Sequence, residues 1–292
     1  MSGGGGDEPA SAQGERPLER TAVVSSHYYP HYLERSTAFT RHAVNAVGAT
    51  VCVFVGSQAE LVDGLEAAAA PLSCDAIVAR HDNVGLEFGA YQRGLNEIQD
   101  LASYDWVLIV NDSFSLHEPF PWQRMKNASE QMKWRLSERA PVAIGKIEGL
   151  ERSFIIEGIR AHRWLTSNLF VLSRAALKGL RTRIYCPELE RLIVDSDDPG
   201  CFFAPELDVV LRRHISRWLF DPSERFHWYR AAPLTSANSA LFASKARSIL
   251  QEIYLSARLE ALSTAFVDVG WLGRWQRWAL RVLPTKHGAR SS

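Results

Sequence analysis

The stretch that decides the fold of this 292-residue chain is Tyr104-Asp105-Trp106-Val107-Leu108-Ile109-Val110-Asn111-Asp112-Ser113. Its apolar run from Trp106 to Val110, rich in Val and Ile, has the length of one buried strand. The run ends at Asn-Asp-Ser, three residue types that favour turns and carry hydrogen-bonding groups or ligand oxygens. In an open α/β sheet, ligands bind just outside the carboxyl ends of the strands. Asp112 is therefore the first candidate for a functional carboxylate.

Strand-like and helix-like segments alternate before this stretch. Runs rich in apolar and β-branched residues stand at 21–24, 50–55 and 74–79, and each is followed by apolar residues at helical spacing. Strands that alternate with helices of roughly ten to fifteen residues predict a mainly parallel sheet with right-handed crossovers. The predicted fold class is therefore α/β, with a mainly parallel central sheet and helices on both faces.

Beyond Ser113 the pattern changes to shorter strands and irregular segments. The expected elements are a helix ending near 138, strands at 142–144 and 165–171, a short helix at 175–180, and helices at 206–219 and about 250–261. Pro205 is the expected first helical residue of the helix at 206–219, because proline suits that position. We interpret this half as a second half-domain laid on the same sheet, followed by C-terminal helices.

Composition excludes several classes of protein. The 33 basic and 33 acidic residues cancel, so the chain has no global field that would attract nucleic acid. The cysteines lack C-x-x-C spacing and predict reduced thiols in a cytoplasmic protein; they are Cys52, Cys74, Cys186 and Cys201. No apolar run approaches the roughly 18 residues that a membrane span needs. Residues 1–20 have no apolar core and predict a disordered leader, not a signal peptide.

A second segment with chemical content is Arg80–Leu95, which reads R-H-D-N-V-G-L-E-F-G-A-Y-Q-R-G-L. Glycines at a helix start let a ligand approach the backbone closely, and the helix N-terminus offers amide donors to anionic groups. The candidate nucleotide contacts here are Arg80, Asn83, Gly85, Glu87 and Gly89. A glycine-rich loop that only packs well explains the same spacing, and Arg80 could equally be a solvated surface charge.

Together the two segments resemble the bacterial rhamnan-synthesis protein F family of polysaccharide glycosyltransferases. The pattern is N-x-G-x-[DE]-F-G-A-[YW]-x-x-G-L at 83–95, then Y-D-x-[VIL]-[LI]-x-x-N-D-S at 104–113. The resemblance covers roughly residues 21–260 and includes T-S-N-L-F-V-L-S at 166–173 and E-L-D at 206–208. This chain departs from the family at Glu87, where such sequences usually have Asp. It also lacks the expected glycine–proline turn after Ser113.

The resemblance implies a GT-A-like, Rossmann-related fold and an enzyme, a glycosyltransferase that uses a nucleoside-diphosphate sugar as donor. The acceptor would be a growing bacterial surface polysaccharide or a lipid-linked glycan, and rhamnose is suggested by family association. Residues 21–115 would form the nucleotide-sugar half and 116–262 the acceptor half. His27 directly follows the first strand, where transferases of this fold often contact the nucleotide.

The implied chemistry assigns roles to carboxylates. A leaving diphosphate is usually neutralised by Mg²⁺ or Mn²⁺ on a strand-end carboxylate, and Asp112 is the candidate. Its neighbours Asn111 and Ser113 are further candidate contacts to the nucleotide donor. The acceptor hydroxyl needs a general base, for which Glu206 and Asp208 are the candidates. One base and one metal would imply a single displacement with inversion. Acidic residues in a first helical turn also simply complement the helix dipole.

Two alternatives from other classes stay open. A catalytically inactive module that binds a sugar or a partner would keep the same motifs and fold. A methyltransferase or dehydrogenase is disfavoured, because Ser25-Ser26-His27 stands after the first strand in place of G-x-G-x-x-G.

The C-terminal segment 263–292 predicts a basic amphipathic helix. Its apolar face carries Trp271, Trp275, Trp278 and Val282, and another face carries Arg274, Arg277 and Arg281. Such a helix suits an anionic bilayer interface and would place the protein peripherally on the inner face of the membrane. A helix packed on its own domain explains the pattern equally well.

Overall fold

The computed structural model describes residues 20–135, 140–225 and 227–270, and its centre is a seven-stranded sheet. The strands are β1 (Thr21–His27), β2 (Val51–Gly56), β3 (Asp75–Arg80), β4 (Trp106–Asn111), β5 (Val142–Ile156), β6 (Ile159–Ser173) and β7 (Ala265–Asp268). Their order across the sheet is β3-β2-β1-β4-β6-β5-β7. β6 runs antiparallel to both of its neighbours, and the other strands all run in one direction. The predicted mainly parallel sheet is confirmed.

Helices cover both faces of this sheet. They are α1 (Leu33–Val47), α2 (Val62–Ala69), α3 (Leu86–Glu97), α4 (Phe114–His117), α5 (Pro121–Trp134), α6 (Arg174–Gly179), α7 (Val209–Phe220) and α8 (Ser239–Ala261). Alternate strand residues point to opposite faces, so Val24 belongs to the core cluster that includes residues of α3, α6 and α8. Val23 belongs to the cluster on the other face, which includes residues of α1, α2, α4 and α5. Every residue of β1, β2 and β4 is buried, as expected for parallel strands covered on both sides.

The connections create a topological switch point between β1 and β4. From β1 the chain moves to β2 and β3 on one side, and then returns to β4 on the other side of β1. Crossover loops leave in opposite directions at such a point, which opens a crevice outside the carboxyl ends of the two strands. Tyr28 follows β1 and Asp112 follows β4 at this crevice.

The hairpin of β5 and β6 is longer than the sequence predicts. Each strand has 15 residues, whereas the pattern predicts short strands at 142–144 and 165–171. The two strands meet at Glu157-Gly158, whose φ angles of 45° and 77° suit a tight hairpin turn. Register shifts near Gly145 and Gly149 break the alternation of apolar residues. The sequence pattern therefore does not predict the halves of both strands that lie next to the hairpin turn.

Three predicted boundaries change. The helix expected to start at Pro205 starts at Val209, because the Asp208 carboxylate caps it by accepting a bond from the N–H of Val210 at 2.7 Å. The helix expected to reach 138 is described to Trp134, and 136–139 lie outside the described residues. Ala265–Asp268, inside the predicted tail, pairs with β5 as an edge strand.

Other predictions concern segments at the two ends. The leader up to residue 19 and the tail from 271 onward lie outside the described residues. Within the residues that are described, no helix is long and apolar enough to cross a membrane. All four cysteines are free thiols, with Cys52 and Cys186 buried and Cys201 exposed.

Two helical glycines provide a packing test of this fold. A Cβ added at Gly94 would lie 2.4 Å from Cγ1 of Val24 and 3.1 Å from Cγ2 of Val55, both short branches on buried strands. Gly94→Ala should therefore lower the free energy of unfolding by roughly 1–3 kcal/mol. At Gly64 the contact is with Cδ2 of Leu33, the end of a flexible side chain, so Gly64→Ala should be neutral or stabilising. Urea unfolding checks both, and equal effects would contradict the packing of α3 on β1.

Candidate active site

Asp112 anchors the crevice at the switch point. Its Oδ2 atom accepts hydrogen bonds from the backbone N–H groups of Tyr28 and Tyr29, both at 2.8 Å. The side chain thereby ties the loop after β1 to the end of β4, and the residue is 5% exposed. Burial raises the pKa of Asp112 and Glu87 raises it further, while the N–H groups act in the opposite direction.

A chain of hydrogen bonds links two further carboxylates to the end of β4. Asn111 Nδ2 donates to Glu87 Oε2 at 3.1 Å, and Ser167 Oγ donates to Glu87 Oε1 at 2.8 Å. The backbone N–H of Ser167 donates to Glu252 Oε2 at 2.5 Å. Beneath them the buried Tyr91 donates from its hydroxyl to the Ser167 carbonyl at 2.9 Å. We call the four linked residues the carboxylate chain. They come from α3, β4, β6 and α8 and are Glu87, Asn111, Ser167 and Glu252, with Asp112 next to Asn111.

The electrostatics of this arrangement are unusual for a partly buried cluster. Among the ion pairs of the described residues, none involves Asp112, Glu87 or Glu252. Burial raises the pKa of Glu252 to about 7, opposed by its bonds to Ser167 and reinforced by Glu148 and Glu87. The cluster therefore carries negative charge that the protein itself does not balance nearby.

Asp112 could serve as a single protein ligand of a divalent cation. Within the described ranges, no three metal-ligating side chains converge on a point. A carboxylate offers about four acceptor positions, so the two bonds that Asp112 accepts leave capacity for a ligand. Mg²⁺ typically takes one or two protein carboxylates and completes its shell with phosphate oxygens and water. A cation held by Asp112 would thus need its substrate to complete the site.

His27 is placed differently from its prediction as a nucleotide contact. Its ring is 1% exposed and lies between β1 and α1, where Ser25 Oγ and Ser36 Oγ contact its two nitrogens at 2.8 and 3.0 Å. It also stacks on Phe54 at 5.8 Å. The alternation of side chains along β1 places this ring against α1, so the geometry does not support its predicted role as a nucleotide contact.

The glycines of the second motif contact the protein itself. A Cβ on Gly85 would lie 2.4 Å from the ring of Tyr185, and one on Gly89 would lie 1.8 Å from the carbonyl oxygen of Val84. These glycines therefore let Tyr185 and the preceding loop close on the start of α3. Asn83 lies in the same loop with a φ of 67°.

The remaining predicted residues fall into two groups. Ser113 Oγ donates to Asn111 Oδ1 at 2.9 Å, so both help to turn the chain at the end of β4. Arg80 ends β3 and is exposed, two strands away from β1. Glu206 is exposed, and Asp208 Oδ2 accepts from the N–H of Ile155 at 3.0 Å near the end of the hairpin. No hydrogen bond among the described residues joins either of these two acids to the carboxylate chain.

Glu252 and Ser167 are the residues that sequence reasoning missed. Glu252 stands in α8 between Leu250 and Ile253, both fully buried. A carboxylate beside the apolar face of a long helix is a detectable signal, because burying a charge is costly without a partner or a function. Ser167 lies in the middle of a strand pattern and offers no such signal.

Opposite pH dependences of stability should follow from His27 and Glu252. Burial lowers the pKa of His27 from 6.5 to about 3, so the unfolded chain binds the proton and stability falls as the pH drops below 6.5. The pKa of Glu252 rises from 4.5 to about 7, so the native state binds the proton and stability falls as the pH rises above 4.5. Each contributes a slope of roughly 1 kcal/mol per pH unit, and the two slopes oppose each other between these limits.

Two variants separate these slopes. Relative to wild type, Glu252→Gln should make the free energy of unfolding rise more steeply with pH between 4.5 and 6.5, and His27→Gln should make it fall. Urea unfolding at several pH values in this window measures both. Curves parallel to the wild-type curve would show that the two groups do not titrate as their burial requires.

Comparisons with known proteins find similar solved structures but no matching protein family. No family model matches the chain, and no curated protein matches it. An inositol-1-phosphate CTP transferase from T. maritima has a TM-score of 0.36 and 12% identity over 57% of this chain and 75% of its own. A cytidylyltransferase from Leptospira borgpetersenii has a TM-score of 0.36 and 8% identity, over 80% of this chain and 97% of its own. For S. aureus TarS 1–349 the TM-score is 0.33 and the identity 11%, over 59% and 51%. TM-scores below 0.5 do not establish a common fold, so the function is inferred from the site.

Proposed function

We propose that this chain is a glycosyltransferase that binds a nucleoside-diphosphate sugar in the crevice between β1 and β4. The observation that carries the proposal is the group of carboxylates at Asp112, Glu87 and Glu252, held at a topological switch point without a balancing ion pair. Such a site favours a divalent cation together with a polyanion that completes its shell. The motif resemblance at 83–95 and 104–113 supports a sugar donor, with a GT-A-like fold.

The acceptor and the sugar rest on the resemblance alone. A growing bacterial surface polysaccharide or lipid-linked glycan is the proposed acceptor, and rhamnose the proposed sugar. The basic tryptophan-bearing segment 263–292 would then hold a cytoplasmic enzyme peripherally at the inner face of the membrane.

The cation, Mg²⁺ or Mn²⁺, would be held by Asp112 and would neutralise the diphosphate as it leaves. Asn111 and Ser113 shape the turn that presents this carboxylate, and the bonds from Tyr28 and Tyr29 keep it oriented. Glu87 orients Ser167 and Asn111 through its two oxygens.

Glu252 is our proposed general base, displacing the candidates from the sequence. A base works best when its pKa lies near the working pH, and burial raises that of Glu252 to about 7. It lies on the carboxylate chain, whereas Asp208 is bonded through both oxygens to backbone N–H groups of α7 and the hairpin. Asp208 and Glu206 remain the second choice. A single base on the acceptor hydroxyl gives inversion at the transferred carbon.

A second candidate function is a catalytically inactive sugar- or partner-binding module. The observation that favours it is that Asp112 and Glu87 already make hydrogen bonds within the protein, which a purely structural cluster would also show. Such a module would bind its ligand without turning it over, and Glu252→Gln would leave its cellular activity intact.

A thermal-shift screen of nucleoside diphosphates and nucleotide-sugars, with Mn²⁺ and with EDTA, tests the proposed donor. We expect one nucleotide class to raise the melting temperature by several degrees in Mn²⁺, since ligand at about 100 times its Kd adds roughly 3 kcal/mol. If no nucleotide changed the melting temperature, the transferase assignment would fail.

A further inference from the structure

A cluster of four aromatic side chains, which we call the aromatic wall, lies beside Asp112 at the crevice. It consists of Tyr29, Tyr32, His117 and Tyr229. The ring centroids of Tyr29 and Tyr32 are 5.0 Å apart, and those of Tyr32 and His117 are 5.9 Å apart. Tyr29 also holds Asp112 through its backbone N–H. The wall is therefore fixed to the same carboxylate that we propose for the cation.

Tyr229 reaches this wall from the connection between α7 and α8. Its neighbour Trp228 anchors the connection, being 9% exposed, stacked on Trp218 at 6.1 Å and bonded through its N–H to the Trp218 carbonyl at 2.9 Å. Tyr229 stacks on His117 at 5.6 Å with an interplanar angle of 26°, yet 57% of its surface is exposed. One face of its ring is thus supported by His117, Trp228 packs edge-on at 5.5 Å, and more than half of the side chain remains exposed.

Arg230 adds a positive charge beside the wall. Burial, Tyr229 and Asp112 raise the pKa of Tyr32, and the guanidinium of Arg230 acts in the opposite direction. Arg230 is exposed, and no ion pair among the described residues includes it. A guanidinium with free donors pairs readily with phosphate oxygens in a bidentate manner.

We propose that Trp228–Arg230 is a strap over the donor site, in which Arg230 pairs with the diphosphate and the exposed ring of Tyr229 stacks on a ring attached to it. This inference rests on the proposed function. The two parts suit a ligand that joins a polyanion to a flat or apolar-faced ring, and aromatic residues stack on both nucleobases and sugars. The strap runs from a core cluster that includes Trp228 to the aromatic wall, where Tyr229 and Asp112 both act on the hydroxyl of Tyr29.

Binding of three probes by two variants tests the strap. The probes are inorganic pyrophosphate, a nucleoside diphosphate and the matching nucleotide-sugar, each titrated calorimetrically in Mn²⁺. Arg230→Gln should weaken all three at least tenfold, because all three carry the diphosphate. Tyr229→Ala should leave pyrophosphate unchanged and weaken ligands that carry the stacked ring about tenfold. If Tyr229→Ala weakens the nucleoside diphosphate and the nucleotide-sugar equally, the stacked ring belongs to the nucleoside. If it weakens the nucleotide-sugar alone, the stacked ring is the sugar.

The matched control is Arg213→Gln, which removes an exposed arginine of α7 outside the strap. It should leave all three affinities unchanged. If both strap variants bound as wild type, or if Arg213→Gln weakened binding as much as Arg230→Gln, the strap would be refuted while the donor site stood. If the wild type bound none of the probes, the proposed function itself would fail. The two substituted residues, Tyr229 and Arg230, are exposed, and circular dichroism verifies that the variants fold.

Discussion

Asp112→Asn should reduce sugar transfer roughly 10²–10³-fold or more while leaving the fold intact. The asparagine side chain keeps an oxygen that can accept the N–H bonds from Tyr28 and Tyr29, so the loop after β1 stays in place. What it removes is the negative charge that would hold the cation against the leaving diphosphate. Turnover of the donor found in the screen measures the loss, and the melting temperature verifies the fold.

Asp112→Ala separates the charge from the hydrogen bonds. Alanine removes both, and the two N–H groups of the β1 loop lose their partner. This variant should therefore lose the same activity as Asp112→Asn and in addition lower the free energy of unfolding by roughly 1–3 kcal/mol more. Wild-type turnover by Asp112→Asn would show that the carboxylate is only a structural anchor, as the inactive-module alternative requires.

Glu252→Gln should reduce kcat roughly 10²–10⁴-fold without weakening the binding of the nucleotide. Glutamine can still accept the N–H bond of Ser167 at this position, so the geometry of α8 and β6 is retained. It cannot take a proton from the acceptor hydroxyl. The rising limb of the pH–rate profile, expected near the pKa of about 7, should disappear with it.

The comparison with Asp208→Asn decides between Glu252 and the bases predicted from the sequence. Asparagine is a good helix N-cap, so this variant keeps the start of α7. Under our assignment its kcat stays close to that of wild type, and the same holds for Glu206→Gln. A large loss of kcat in Asp208→Asn together with wild-type turnover in Glu252→Gln would restore the assignment made from the sequence.

The central strands could be predicted because their signals are local. The run at 106–110 is apolar throughout and ends at turn-forming residues, as a strand buried on both faces must be. The position of Asp112 outside a strand end follows from that pattern alone. The parallel order of strands follows from their alternation with helices, which leaves few allowed connections.

The orientation of His27 could not be predicted from its position after a strand. A shift of one residue along a strand turns a side chain to the opposite face, and both faces of β1 are equally buried. The choice of face depends on Ser36 in α1, which supplies the second hydrogen bond. This partner becomes apparent only when the helix is packed.

The contribution of Glu252 depends on contacts distant in sequence. It bonds Ser167, which lies 85 positions earlier in the chain. Such a pairing follows from the packing of α8 on β6 and leaves no trace in local periodicity. The predicted start of α7 is wrong for a related reason, because either Pro205 or Asp208 can begin a helix. The bond from Asp208 to Ile155 of the hairpin accompanies the start that the structure has.

Calorimetric titration of the nucleoside diphosphate into wild type and Asp112→Asn, with Mn²⁺ and with EDTA, tests the central claim most directly. We expect the wild type to bind the nucleotide in a manner that depends on Mn²⁺, with affinity at least tenfold weaker in Asp112→Asn. Equal affinity of the two proteins, or affinity that EDTA does not change, would contradict a donor site built on this carboxylate.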